Sequence, residues 1–324
     1  ILTLTDGLQY TPLVTPSTRF AGSGEYRGEN EPYGVLITFM ASGDNLNHPD
    51  PDENKRISVA RRAAMNEQTS ENSESGSTEE QVTIEVEDAN GDLIRTFKSD
   101  IHLGINRIVW SMQQDGLIGP PPAPPSTDGI FPPGIDVFPG TYTITLRLGD
   151  LSDSAEVEVI PDPLSSYSLA DQRRNYEARL VIKDLTKKMN QALSQVMNAS
   201  RDVETLERIL ASVENEEIKE ALSSQIGEVK QAIETTEKLF RNPAGTQGSP
   251  YSGDKISSII RAASSYVMST RAAPNPAAAQ QITKAETELD GAIEQVNRLI
   301  TIDVAELRTA VENANIGLFN QTEI

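Results

Sequence analysis

Val157-Glu158-Val159-Ile160-Pro161-Asp162-Pro163 is the stretch on which the fold of this chain turns. Before it, apolar side chains recur at every second residue; after it, they recur with the period of an α-helix. The two prolines make the change abrupt. Proline donates nothing to a sheet ladder and restricts the residue ahead of it.

Upstream, Tyr142, Ile144, Leu146 and Leu148 alternate with polar residues, and Gly149-Asp150 turns the chain toward Val157 and Val159. Ile108, Trp110 and Met112 alternate as well. Val82, Ile84 and Val86 lead to Asn90-Gly91, a pair that predicts a type I′ hairpin turn with positive φ at both residues, and Leu93 to Phe97 returns. Gly34 to Met40 is a short apolar run, consistent with a buried strand. Short alternating strands between turn signals predict an Ig-like or fibronectin-like β-sandwich over 31–162. Trp110, Tyr142, Ile144 and Leu146 are placed in its core. Residues 43–80 read as a mobile polar insertion, because Asn66 to Glu80 is nearly all Ser, Thr, Glu, Asn and Gln and cannot bury enough apolar surface to offset its ordering entropy. Residues 1–30, with Leu2, Leu4 and Leu8 ahead of Pro12, Pro16, Gly22 and Gly24, read as a linker or a strand left over from a preceding structure.

Downstream, Ile182, Leu185, Met189, Leu193, Val196, Val203, Leu206, Leu210 and Val213 trace one face of a long helix, with a break expected near Asn198 to Ser200. Further stripes run from Ile218 to Phe240, from Ile256 to Val267, from Ile282 to Ile300 and from Val304 to Val311. Apolar stripes with charged opposite faces and short connections predict an antiparallel up-and-down helical bundle over 163–324. The fold class is thus multidomain, all-β followed by all-α.

Composition narrows the chemistry. The chain has 324 residues, room for two ordinary domains. Its formal net charge of −20 argues against a nucleic-acid partner, since phosphate binding needs a basic face. With no cysteine, disulfides, thiolate zinc sites and cysteine nucleophiles are excluded. No apolar run approaches the roughly 20 residues that span a bilayer. The opening Ile1-Leu2-Thr3-Leu4-Thr5 has no initiator Met and reads as a mature or truncated chain.

Candidate chemistry is sparse. Asp44, Asp50 and Asp52, with Asn45, Asn47, His48 and Glu53, form an oxygen-rich cluster of the kind calcium takes, although the spacing matches no EF-hand and a solvated acidic loop explains it. Asp88, Asn90 and Asp92 resemble the start of a calcium loop, but the hairpin turn explains them. His48 and His102, the only histidines, lie beside no triad spacing. A glycosidase carboxylate pair would need an aromatic-lined cleft, and aromatic residues make up only 5% of the chain. Glu204, Glu207, Glu216, Glu217 and Glu220 read as solvated helix faces, and Gly119 to Pro125 as an extended loop rather than a polyproline ligand. No catalytic residue, cofactor or resident metal is assigned.

Several of these stretches together resemble a family. Glu31-Pro32-Tyr33-Gly34-Val35-Leu36-Ile37-Thr38 looks like the opening strand of the region that follows the propeller in exported bacterial proteins with a sortilin-type or BNR-repeat β-propeller, often labelled glycosyl-hydrolase-like. Asp88-Ala89-Asn90-Gly91-Asp92-Leu93-Ile94-Arg95, Gly104-Ile105-Asn106-Arg107-Ile108-Val109-Trp110 and Pro139-Gly140-Thr141-Tyr142-Thr143-Ile144 resemble the hairpin and strands of the Ig-like domain there, itself similar to that of flagellar hook-capping proteins. Pro161-Asp162-Pro163 resembles the exit into the helices. Thr287-Glu288-Leu289-Asp290 and Asn297-Arg298-Leu299 resemble the terminal helices. The resemblance covers most of 31–319 and implies an extracytoplasmic, non-catalytic scaffold or docking region. Its partner would be a β-propeller on the same precursor or a separate chain, and other cell-surface proteins are possible partners. The propeller is missing from these residues, so no catalytic residue carries over. Two other readings stay open: a stand-alone surface module binding glycan or protein through loops such as Asp115 to Pro139, and a glycoside hydrolase with an unrecognised carboxylate pair.

Overall fold

The alternating stretches become strands in the computed structural model, which describes residues 1–10, 31–43, 46–66, 81–120, 130–213, 215–242, 248 and 251–314, the side chains of 61–66 excepted. One unit comprises Ile1–Gly116 and Ser126–Ser166; the other comprises Leu117–Pro125 and Tyr167–Ile324. The first carries the sheets and the second the long helices, so the chain combines β and α structure.

In the β unit, β1 (Thr3–Leu4), β3 (Val35–Ala41) and β6 (Gly104–Trp110) form a three-stranded sheet. A five-stranded sheet runs β2 (Gly7–Leu8), β10 (Leu151–Ile160), β9 (Gly140–Leu148), β4 (Gln81–Glu87), β5 (Leu93–Asp100). The short β7 (Gln113–Asp115) and β8 (Pro133–Asp136) pair with each other. All pairs are antiparallel except β2 on β10. Register keeps one face inward: Val35, Ile37 and Phe39, Val82, Ile84 and Val86, and Tyr142, Ile144 and Leu146 are all buried. Trp110 packs edge-to-face on Tyr142, with ring centroids 5.3 Å apart, and its Nε1 donates to the Gln113 carbonyl at 3.0 Å. The Tyr142 hydroxyl donates to the Phe138 carbonyl.

Three sequence expectations change here. Of the stretch read as a linker or a left-over strand, 1–10 carries the short strands β1 and β2 inside the β unit, and 11–30 lie outside the described residues. Leu2 N donates to Thr38 O at 2.8 Å, Gln9 N donates to Ile160 O at 2.9 Å, and the buried Gln9 amide donates to Val137 O at 2.7 Å. Gly7 permits this course, since a Cβ there would lie 2.6 Å from Met112 Sδ. The insertion over 43–80 contains α1 (Pro51–Asn66); residues 67–80 lie outside the described ones. Asp50 caps α1, proline opens its first turn and Asp52 and Glu53 follow, the arrangement a helix N-terminus favours. The Asn90-Gly91 turn is not type I′: Gly91 takes φ 83°, and Met112 is the only non-glycine with positive φ among the described residues. Asp88 Oδ1 instead accepts from Asn90 N at 2.8 Å and Asp92 N at 3.0 Å, and the Asp88 carbonyl accepts from Gly91 N. These bonds hold a type I turn whose left-handed residue is glycine.

In the helical unit, α2 (Leu169–Leu210) runs 42 residues without the break expected near Asn198, because buried Val196, Ala199 and Val203 continue its apolar stripe through that point. It is followed by α3 (Glu216–Phe240), α4 (Ile256–Met268), α5 (Pro276–Arg298), a π-helical turn (Leu299–Val304) and α6 (Ala305–Asn313). Ser168, Asn215 and Asn275 cap α2, α3 and α5 through side-chain oxygens, and Pro276 occupies the first turn of α5. Lys230 of α3 pairs with Glu207 in the C-terminal half of α2 at 2.9 Å. At the other end of α2, Asn175 Nδ2 donates to Val267 O, one of the last carbonyls of α4, at 3.0 Å, and Arg179 donates to Thr270 O, just beyond the end of α4, at 3.2 Å. Arg179 Nε also donates to Asn175 Oδ1 at 2.7 Å.

Asn175 is 2% exposed. Asn175→Ala therefore leaves a buried carbonyl and a buried guanidinium each short of a partner. It is expected to destabilise the helical unit by about 2–3 kcal/mol, read as a lowered urea midpoint of the helical circular-dichroism signal.

Candidate functional site

The oxygen-rich stretch around Asp50 folds as a helix start. Asp50 Oδ1 accepts from Asp52 N at 2.8 Å and Glu53 N at 3.4 Å, His48 Nδ1 accepts from Asp50 N at 3.1 Å, and Arg56 pairs with Glu53 at 2.9 Å. Of the calcium candidates, Asp50 is thus engaged with backbone, Asp52 is exposed, and Asp44 lies outside the described residues. Among the described residues no group of three or more His, Asp or Glu could share a metal ion. The two histidines come from neighbouring loops, since Leu103 N donates to Asn47 O at 2.8 Å. Each ring meets backbone: His48 as above, and His102 Nδ1 lies 3.0 Å from Leu103 O.

Among the described residues a buried polar constellation lies elsewhere, at a residue the sequence reading did not single out. Arg95 on β5 is 8% exposed. The two N–H bonds of its Nη1 serve three acceptors, one of the bonds being shared: Asp115 Oδ1 at 2.8 Å, Phe131 O at 2.7 Å and Pro132 O at 3.0 Å, and its guanidinium lies 5.6 Å from the Phe97 ring centroid. Asp115 Oδ1 also accepts from Thr96 N at 3.3 Å. The register shows why Arg95 points inward: it sits opposite buried Val86, beyond an irregularity in the ladder. The signal in the sequence was a charged residue in phase with the inward-facing Phe97.

The backbone around this pair is tight. A Cβ on Gly116 would lie 2.8 Å from Pro132 O, and one on Gly134 would lie 2.7 Å from Asp115 O. Met112 is fully buried with φ 57°, and its carbonyl accepts from Val137 N at 2.8 Å. Asp115, Phe131, Pro132 and Val137 are thus braced by Arg95 and Gln9, while residues 121–129 lie outside the described ones. Leu117–Pro120 belong with the helical unit, where Asn190 Nδ2 donates to Ile118 O at 3.0 Å.

On the helices, Glu207 pairs with Lys230, Glu216 pairs with Lys219 at 3.6 Å, and Glu204, Glu217 and Glu220 lie on α2 and α3. Lys188, hydrogen-bonded to Asp184 and near Asp290 and Glu286, is held above the ordinary lysine range. Asp254 is held below the ordinary carboxylate range by its hydrogen bond to Lys255. Among the described residues, every buried side-chain nitrogen or oxygen has a hydrogen-bond partner. No helix of the described residues is long and apolar enough to cross a membrane. Compared with known proteins, the chain matches no family model, no curated protein and no solved structure.

Proposed function

We propose that this chain is a non-catalytic structural and interaction region, an Ig-like sandwich joined to an antiparallel bundle, acting as a scaffold or docking module of an exported propeller-type protein. The observation that carries the non-catalytic part is the direction of the buried polar groups. Gln9, Arg95, Asn175 and Arg179 all donate to backbone carbonyls. A catalytic centre aims such groups at a substrate, whereas these hold loops and helix ends in place.

The finer fold reading has its own support. On the Ig-like reading, β1-β3-β6 would be strands A, B and E, and β2-β10-β9-β4-β5 a switched A strand followed by G, F, C and C′; the strand orders support that reading. The Tyr142 hydroxyl on the carbonyl four residues upstream, near the start of β9, supports the same reading, since Ig-like F strands carry a tyrosine corner there. In the helical unit, α2 spans about 63 Å at about 1.5 Å per residue. α3 and α4 together, and α5 through α6, each span about 57 Å, which makes three limbs of matching length.

The propeller partner and the extracytoplasmic location rest on the motif resemblance alone. Native purification from the source, with intact mass and identification of bound chains, tests them. A propeller on the same polypeptide or bound as a second chain is expected, and a lone chain of this mass would count against the reading. Turnover of chromogenic glycosides by this chain alone would overturn its non-catalytic part.

A further inference from the structure

We infer that the docking role proposed above, on which this assignment rests, uses the open edge of β6. An extended segment of a partner protein, acidic at its centre, adds there as a fourth strand of the three-stranded sheet. The neighbours fix which way the backbone of β6 faces. Thr5 N donates to Leu36 O and Leu2 N to Thr38 O, so Leu36 and Thr38 turn their backbone toward β1. Val35, Ile37 and Phe39 therefore turn theirs toward Trp110, Ile108 and Asn106 of β6. That leaves the N–H and carbonyl groups of Ile105, Arg107 and Val109 on the free side of the strand, where no described residue bonds to them. Leu103, two residues earlier in the same phase, already gives its N–H to Asn47 O. On the other sheet the outer strand β5 is stoppered, since Thr96 N donates to the Asp115 carboxylate. β6 has no such stopper, and of the devices that blunt an edge it carries one arginine, with no proline, lysine or register shift.

The side chains on the outer face say what the segment must carry. Ile105, 60% exposed, lies beside Met40, 66% exposed, and Val109 lies beside Leu36. Arg107 is exposed between Ile105 and Val109, and no described residue forms an ion pair with it. β1, β3 and β6 contain no Asp or Glu, although the chain has 48 of them and a net charge of −20. An arriving strand therefore meets one uncompensated cation with an apolar residue on each side. Its complement is a carboxylate with an apolar residue two positions away in both directions. A second copy of the chain fits less well. The register that pairs all three outward residues of two copies sets the two Arg107 side chains opposite each other, and like charges so placed are destabilising.

The test titrates a blocked peptide, Thr-Val-Thr-Glu-Thr-Val-Thr, and a second one with Lys in place of Glu, into the full chain at low salt and up to about 1 mM, with amide exchange followed by NMR. The Glu peptide is expected to slow exchange at Ile105, Arg107 and Val109 and to bind about three- to tenfold more tightly than the Lys peptide. Arg107→Glu should reverse that preference. Methylating the backbone nitrogen of the peptide's Glu, which faces β6, should abolish binding, whereas methylating that of the next Thr, which faces away, should not. No binding, binding that leaves the three amides unprotected, or equal affinity for the two peptides each overturns the inference. Dimerisation of the chain alone that protects the same amides overturns it in favour of a second copy. None of these outcomes touches the non-catalytic reading, which glycoside turnover and native purification test separately.

Discussion

Trp110→Ala is expected to lower the unfolding free energy of the β unit by about 3–5 kcal/mol. The side chain is 1% exposed and meets the Tyr142 ring edge-to-face. Its removal forfeits the transfer energy of the largest core residue, opens a cavity under both sheets, and leaves the Gln113 carbonyl without the indole N–H that serves it. The surroundings have little freedom to collapse. Gly34, at φ 134°, is already so close that a Cβ on it would lie 2.3 Å from the Trp110 carbonyl oxygen, and Met112 holds a left-handed backbone nearby. Trp110→Phe keeps an aromatic ring and loses the N–H bond, so its cost should be smaller, about 1–2 kcal/mol. Urea titration followed by far-ultraviolet circular dichroism checks both, since the variants lack the single tryptophan that reports the β unit by fluorescence. A Trp110→Ala cost below that of Trp110→Phe would mean that the indole is not the keystone of this core.

The parts of this fold that could be read from sequence are those set by neighbours along the chain. One-sided alternation in β4, β9 and the end of β10 survives folding because each strand has a wet face and a dry one. The apolar stripe of α2 survives because Ile182, Leu185, Leu193, Val196 and Val203 all meet one core. What escaped was set by distant partners. β1 and β2 are two residues each, too short for any period, and exist because Thr38, Leu36 and Ile160 offer carbonyls to them. The Asn90-Gly91 turn was misread because the deciding group, the Asp88 carboxylate, lies outside the dipeptide. The start of α1 carried a complete signal in Asp50-Pro51-Asp52-Glu53, but the polar composition beyond Asn66 outweighed it. Of the candidate site, the calcium donors were legible only as residue types. Their use as cap and first turn follows from backbone N–H groups that need acceptors.

Arg95 and Asp115 illustrate the same limit and yield the other large prediction. Asp115 lies 20 residues from Arg95 and Phe131 lies 36, so no local pattern joins them. The side chains of Arg95 and Asp115 are only 10% and 25% exposed, which puts the pair in the regime where desolvation rivals attraction. Asp115→Ala should cost about 3–5 kcal/mol, because it strands a buried guanidinium whose remaining partners are the uncharged Phe131 and Pro132 carbonyls. Arg95→Met keeps the apolar stem against Phe97 and removes the charge, and should cost less, about 2–3 kcal/mol. The double variant Arg95→Met with Asp115→Leu removes both charges. It should be more stable than the sum of the single costs implies by about 1–3 kcal/mol. Urea midpoints of the four proteins in one buffer complete the cycle. Additivity within about 0.5 kcal/mol would show that the two charges do not depend on one another, and the bracing of Phe131 and Pro132 would then rest on the tight backbone at Gly116 and Gly134 instead.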